Sequence, residues 1–518
     1  MSWRFYLGVY AAALAVYLVV AWPHTHPVSI DSFYYVDIAR SLGWGRGFTE
    51  GFAWNYLSGE PTLPHPSSEY WLPGFSILLA PAYLVGVGYP GVEVITAACA
   101  ACSPLLAAVI ARTLFPTHRH AVVAAALVTF NGIWFHDWTT PDAFVPAAAL
   151  TTATLLLCGA ALEKRGPRDG AVLFALAGAF AALAALTRQE GVLLPAAALL
   201  ALLLARPLWS RRLAWGLVGA VVLYAVVQAP WVLHNLAVLG APGASGGTGT
   251  LWMRSYNQFY FLHTASLTFG TYLSWGLNNI VAAKLHALTF TLSIWAALWL
   301  VVLVPPLLAG VWTLRRRVLL RPFFCYWAIL ALALPLVFTA TIENGTLLHA
   351  SGGLLPCAAV LVAAGLETIG RGLAALHYKE MAEQRAARAR RLTRGMSVLA
   401  VTIAAVVSIY FARRTFPVGG DEYTHTVPVA AWLRLHNTSH APAMVYDPAA
   451  YAYVDDGAYV IAPSDGLLAV RQVLHHYRVR YWALTPQDAP NFTAARHVAW
   501  LHWTATVEDV RIYRVEGA

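Results

Sequence analysis

Polarity along this chain runs in long blocks. Apolar stretches of about 17 residues or more recur as far as residue 412, parted by short polar segments. About 20 apolar residues in a helix cross the hydrocarbon core of a bilayer. The runs predict spans at 5–22, 91–111, 120–135, 143–162, 170–187, 190–205, 213–230, 288–313, 322–341, 350–370 and 396–412. The first follows Met1-Ser2-Trp3-Arg4 and lacks an A-x-A-like cleavage site, so it reads as an uncleaved span. Residues 72–88 are also apolar enough to cross, but a crossing there would move every later basic loop to the other side. Pro73, Gly74, Pro81 and Gly86 fit a re-entrant or interfacial helix instead.

The pattern changes after Phe416. Short apolar stretches at 443–446, 458–461, 481–484 and 510–513 alternate with turn residues, and Leu467–Tyr477 has helical spacing. A strand–helix–strand order predicts a small α/β domain. The expected organisation is a transmembrane module at 1–415, with a first outer loop at 23–90 and a second large one at 231–287, and a C-terminal domain at 416–518.

Composition and charge agree with a membrane protein and orient it. The chain is 59% hydrophobic and 11% charged, with mean hydropathy +0.58, against about 25% charged residues in a soluble domain. Most of its 34 Lys and Arg fall in alternate loops, among them Arg315-Arg316-Arg317 and the segment 371–394. Basic loops stay in the cytoplasm. The N-terminus is therefore expected inside a plasma or inner membrane and the C-terminal domain outside. The net charge of +9 is thus a topology signal, spread over short loops and not gathered on one face, which argues against a nucleic-acid partner. The 371–394 loop suits contact with anionic membrane lipid. All five cysteines lie in apolar spans, so no disulfide framework is expected, and Cys99-Ala100-Ala101-Cys102 reads as helix packing. The sequence shows no P-loop, dinucleotide fingerprint or HExxH motif. It also shows no internal repeat, which weighs against the repeated transporter folds.

The topology brings distant polar segments to the outer surface. The first loop holds Asp31, Tyr34, Tyr35, His65 and Glu69, and carboxylates at the membrane edge are costly and mark function. Later come His136–Asp142, the turn Thr187-Arg188-Gln189-Glu190-Gly191, Arg254, Lys284, and Glu343–His349. Each has a plainer reading as well. Asp31 and Asp142 can cap helices, Arg188 can snorkel to the interface, His349 can be a structural contact, and Trp54, Trp71 and Trp252 can be interface aromatics.

In order and sidedness these residues resemble the GT-C membrane glycosyltransferases, chiefly the protein O-mannosyltransferase and aminoarabinose-transferase branch. The resemblance covers roughly residues 1–370. It is carried by Asp31-Ser32-Phe33-Tyr34-Tyr35-Val36-Asp37-Ile38-Ala39-Arg40, Pro64-His65-Pro66, Trp71-Leu72-Pro73, Pro141-Asp142, Thr187-Arg188-Gln189-Glu190-Gly191, Pro230-Trp231 and His349. It implies an α-helical polytopic GT-C-like fold of about 11 transmembrane helices, with amphipathic helices in the outer loops and a small α/β extracytoplasmic C-terminal domain. It further implies a membrane-bound transferase that moves a sugar from a polyprenyl-phosphate donor to an acceptor hydroxyl on a glycan, lipid or protein, with Asp31 as catalytic carboxylate. Two positions depart from the pattern: Ser32 stands where many members carry a second acid, and His234 where an Arg is common.

The chemistry follows from residue types. A carboxylate serves as general base for the acceptor hydroxyl, and cations stabilise the departing phosphate. A single displacement inverts the anomeric centre. Arg188 is the first candidate for the phosphate, with Arg254, Lys284 and His349 behind it. Tyr34, Tyr35, His65, Glu69 and Asp142 are candidates for acceptor or sugar contacts. No cofactor is certain and metal dependence is open: Asp31, Asp142 and His65 are residue types that ligate a divalent ion, but their spacing enforces none. A ligase or polymerase of lipid-linked glycans, or a polytopic transporter, is the alternative function.

Overall fold

The computed structural model describes the chain except residues 1–2, 164–166, 206–210, 244, 341–345, 378–381, 416–420, 487–491, 493–497 and 517–518. Glu343 and several loop cations, among them Lys164, Arg165, Arg206 and Lys379, therefore lie outside the described residues.

Helix α1 (Trp3–Ala21) leads into a long loop that folds into α2 (Ile30–Gly43), β1 (Thr49–Glu50), β2 (Phe52–Ala53), β3 (His65–Pro66) and α3 (Gly74–Leu84). The membrane part continues with α4 (Tyr89–Leu114), α5 (His118–Thr129), α6 (Phe144–Glu163), α7 (Pro167–Thr187), α8 (Leu194–Leu204) and α9 (Arg211–Leu239). A loop with several short 3-10 turns then holds α10 (Phe269–Ser274). After it come α11 (Leu277–Leu298), α12 (Val304–Leu314), α13 (Arg321–Val337), α14 (Leu347–Ser351), α15 (Leu355–His377) and α16 (Ala382–Thr415). The C-terminal part is α17 (Asp421–His436), β4 (Ala443–Val445), α18 (Pro448–Asp455), β5 (Tyr459–Ile461), α19 (Leu467–His476), β6 (Tyr481–Leu484), β7 (Leu501–Val507) and β8 (Val510–Val515).

Among the described residues nine helices are long and apolar enough to cross a membrane. The difference from the eleven predicted runs has local causes. The run 120–135 forms only the 12-residue α5, because Gly132 turns the chain with φ 68° into 3-10 turns. The run 190–205 is a 3-10 turn joined to α8, which begins at Leu194 with Pro195 in its first turn. The run 288–313 divides into α11 and α12, since Pro305 and Pro306 open α12 and disfavour helix before them. Helix α3 has 11 residues, about 17 Å at helical rise against a core of about 30 Å. It is too short to cross, as the interfacial reading of 72–88 expects.

Lipid supplies no hydrophobic drive for helices to associate, so their packing relies on close approach at small residues. On α12 and α15 the two backbones meet at Gly310 and Gly365. A Cβ on Gly310 would collide with the Leu361 carbonyl, and one on Gly365 with that of Pro306.

The four predicted C-terminal strands are present as β4, β5, β6 and β8, and the predicted helix is α19. They belong to a six-stranded sheet ordered β2-β5-β4-β6-β8-β7, with β2, β5, β4 and β6 parallel and β8 and β7 antiparallel. The edge strand β2 comes from the first loop: Phe52 pairs with Tyr459 and Ala53 with Val460. One core likewise joins Phe33, Phe52, Trp54 and Phe75 of the first loop to Val429, Val445, Tyr451 and Ile512. A boundary at 415 therefore separates two segments of sequence whose folded counterparts share a core.

Helix α2 is tied to this joint module by Arg40. Its Nη1 donates to the Tyr453 carbonyl at 2.7 Å and its Nη2 to that of Ala452 at 3.0 Å. Nη2 also pairs with Asp37 at 2.5 Å. Burial pushes the Asp37 carboxyl up to about 6, against the pull of Arg40. Arg40→Ala strands a buried carboxylate and two carbonyls, which costs about 3 kcal/mol. The expected result is a clear drop in thermal melting temperature, and Asp37→Asn should lower it less.

Candidate active site

The sequence Ser29-Ile30-Asp31 starts α2. Ser29 is the cap: its hydroxyl accepts from the Ser32 amide at 3.2 Å. Its Oγ also lies 2.8 Å from that of Ser32, which accounts for the serine at that position. Asp31 is thus released from capping, and its carboxyl meets that of Asp142 in a side-chain hydrogen bond. Asp142 comes from the Thr140–Ala143 connection ahead of α6 and is 4% exposed. The sequence offers Ser32 where a second acid is common; the fold brings that second acid from a segment 111 positions away.

Arg188 follows the last residue of α7 and faces this pair. Its Nε and Nη2 donate to Glu190 Oε2 and Oε1 at 3.1 and 2.9 Å, a two-pronged pairing. Nη1 makes no hydrogen bond among the described residues. Gln189 Nε2 donates to the Tyr70 carbonyl at 3.0 Å, tying the turn to the segment before α3. That approach depends on Gly74, where a Cβ would lie 2.6 Å from the Leu186 carbonyl oxygen.

Asp31, Arg188 and Glu190 line a cavity of about 380 Å³, to which Asp142 is joined only through Asp31. Asp31, Tyr35, Arg188, Glu190 and His349 supply its polar end, and Tyr70, Trp71, Tyr256 and Phe259 an aromatic wall. Leu72, Val192, Leu193, Leu334 and Val337 form its apolar end. Tyr35 lies one helical turn after Asp31, so both reach the same side of α2. His349 stacks on Phe144 with ring centroids 4.6 Å apart.

Burial raises the Asp31 carboxyl above its ordinary 3.8, and Arg188 opposes the rise. Burial raises Asp142 further, and the neighbouring Asp31 charge adds to it. Two carboxyls in contact do not both ionise readily. The pair accordingly holds a proton between its two carboxyls, with Asp142 the more strongly raised. Burial lowers Arg188, but the Glu190 carboxylate outweighs it and the guanidinium stays charged.

Of the residues singled out in the sequence, Asp31, Tyr35, Asp142, Arg188 and His349 meet here. The others do not. Tyr34, His65 and Glu69 line a neighbouring cavity, because the β1–β3 pairing of Glu50 with His65 holds them there. Tyr34, next to Tyr35 on α2, points to that other side, its hydroxyl accepting from the Ser68 amide at 3.0 Å. Arg254 braces its own loop: its amide donates to Gln258 Oε1 at 2.5 Å and its guanidinium to the Thr271 carbonyl. Lys284 Nζ donates to the Val337 carbonyl and Thr339 Oγ1 at 3.1 and 2.8 Å, bracing the cavity rim without lining it. The metal set Asp31, Asp142 and His65 does not converge, and among the described residues no group of three His, Cys, Asp or Glu side chains is placed to hold an ion. Glu190 was missed, though it stands two residues after Arg188. Nothing in the sequence marks Tyr256 or Phe259, which a 3-10 turn presents.

Residues 69–234 match the family model of dolichyl-phosphate-mannose-protein mannosyltransferases. No curated protein matches the sequence. Among solved structures, ArnT from Cupriavidus metallidurans bound to undecaprenyl phosphate is 14% identical, with TM-score 0.62, covering 99% of this chain and 98% of that one. The Archaeoglobus fulgidus oligosaccharyltransferase is 13% identical, with TM-score 0.60, covering 94% of this chain and 70% of that one. The mycobacterial arabinofuranosyltransferase AftD is 13% identical with TM-score 0.52; the match covers 99% of this chain and 40% of AftD. The helical bundle and the joint loop module thus share the fold of these membrane glycosyltransferase structures, and the family model matches only residues 69–234.

Proposed function

We propose that the protein transfers a sugar from a polyprenyl-phosphate donor to an acceptor hydroxyl, with inversion and with Asp31 as general base. The observation that carries this reading is the Asp31–Asp142 pair beside Arg188, at a cavity with a polar end, an aromatic wall and an apolar end. The acceptor oxygen attacks the anomeric carbon as the bond to the donor phosphate breaks. The acceptor proton passes to Asp31, and Asp142 keeps its own. The leaving phosphate gains negative charge, which Arg188 Nη1 is positioned to meet while Glu190 fixes the guanidinium plane. Aromatic faces suit a sugar ring, and the apolar end suits the first prenyl units. Val192 and Val337, at that end, are 59% and 48% exposed, which supports entry of a lipid from the side. That ArnT was crystallised with undecaprenyl phosphate fits the same donor class. The distribution of basic loops supports a cytoplasmic N-terminus and a joint loop module on the far side of the membrane.

Loss of a general base lowers turnover about 10² to 10⁴-fold. Asp31→Asn is expected to lose that much activity and still co-purify with a prenyl-phosphate species detectable by mass spectrometry. A variant that keeps its turnover, or a wild-type protein that retains no prenyl phosphate, overturns the reading. Arg188→Ala should instead weaken retention of the lipid phosphate.

The carboxyl pair sets a pH dependence. Because Asp31 is raised above 3.8, turnover should fall as pH drops through a value above the ordinary aspartate range. Asp142 lowers Asp31 by donating to it, so Asp142→Ala, which removes the donor, should move the acid limb to higher pH, and Asp142→Asn, which keeps an N–H donor, should move it less. Stability gives an independent check. A raised carboxyl contributes stability that is full below 3.8 and is lost as pH rises through the folded value. The melting temperature of Asp142→Asn should therefore exceed that of wild type near neutral pH, and the two should converge in acid.

A further inference from the structure

A second cavity of about 240 Å³ adjoins the first. Tyr70 lines both, and Trp54 of the second stacks on Trp71 of the first at 4.2 Å, so one aromatic wall parts them. The second cavity is lined by Glu50, Glu60, Glu69, His65 and Asn55, with no Lys or Arg among its described lining residues. His65 Nε2 lies 3.1 Å from Glu50 Oε1 and 2.9 Å from the Phe52 carbonyl oxygen. Its Nδ1 is 3.5 Å from Glu69 Oε1. Burial lowers the imidazole, but Glu50 and Glu69 bring it up to about 10, so the ring is cationic. Two carboxyl groups thus face one imidazolium, and the third, Glu60, lies 3.6 Å from His476 Nδ1.

Glu50 is 3% exposed and His65 8%. Yet Glu50 Oε2, also buried, makes no hydrogen bond among the described residues. An unpaired buried oxygen of this kind is costly. It stands in an acidic, aromatic cavity and calls for a donor from outside the chain. An ammonium group offers three donors and no acceptor, and its charge is favoured over aromatic faces.

We propose that this cavity is the acceptor subsite and takes a saccharide bearing a free ammonium group. The assignment rests on the glycosyl-transfer reading of the adjoining cavity. The amine seats against Glu50, Glu60 and Glu69, and the sugar ring lies along Trp54 and Tyr70. A hydroxyl of the same acceptor is then within reach of the wall's other side, where Asp31 waits. An N-acetylated sugar brings neither the charge nor the donors.

The test is calorimetric titration of the full-length purified protein with a glucosamine tetramer and with its N-acetylated counterpart. The amine form should bind at least about tenfold tighter. Glu60→Gln and Glu69→Gln should each erode that preference several-fold. Their side chains are 30% and 21% exposed, so they test the subsite without stripping His65 of its buried partner as Glu50→Gln would. Asp31→Asn should leave the preference intact. Equal affinity for the two tetramers, or no binding of either, overturns the proposal. So does a stoichiometric heat with zinc or calcium alone in the absence of any tetramer binding. Mass spectrometry of prenyl phosphate in the same preparation keeps the two readings apart. Retained lipid with no amine preference removes the subsite alone, whereas loss of the lipid removes the transferase reading beneath it.

Discussion

Everything around the first cavity answers to the cost of holding two aspartates in contact, Asp142 buried and Asp31 half-buried. Asp31 and Asp142 bring two acids into a region of low dielectric, where an uncompensated charge costs several kcal/mol. The chain meets that cost with one retained proton and one guanidinium. The guanidinium would itself be stranded without Glu190. The four groups therefore stand or fall together, and they come from three separate places: the first turn of α2, the approach to α6 and the end of α7. Helix packing has to bring those three places together.

The bundle and the loop module divide that task. Close contacts at glycines fix how helices sit in lipid, which cannot drive them together by hydrophobicity. The loop module works by ordinary core burial, with aromatics of the first loop packed against the C-terminal sheet. Helix α2 lies at the seam, its first turn aimed at the bundle and its last turn held by Arg40 to α18.

Much of this was legible in the sequence, and the limits have physical causes. Long apolar runs and alternating strands carry a periodicity, so the crossing helices and β4, β5, β6 and β8 could be read directly. The acid of the first loop and the cation after the α7 run stood out because charge at a membrane edge is rare. The pairing of Asp31 with Asp142 was not visible, since it depends on the angle at which two distant segments meet. The diversion of Tyr34, His65 and Glu69 was hidden for a related reason: two-residue strands such as β1 and β3 leave no pattern. Arg254 and Lys284 have the right charge in the right region, but backbone carbonyls and hydroxyls claim them.

The edge strand β2 carries one more consequence. Residues 52–53 find their hydrogen-bonding partners at 459–460, so the first loop must wait until the segment beyond α16 has been made before its sheet can close. Helices can enter the bilayer one after another, yet the platform that holds α2 is completed only by residues that follow α16. A chain cut after α16 would therefore keep its bundle helices and lack the partners that hold α2 in place.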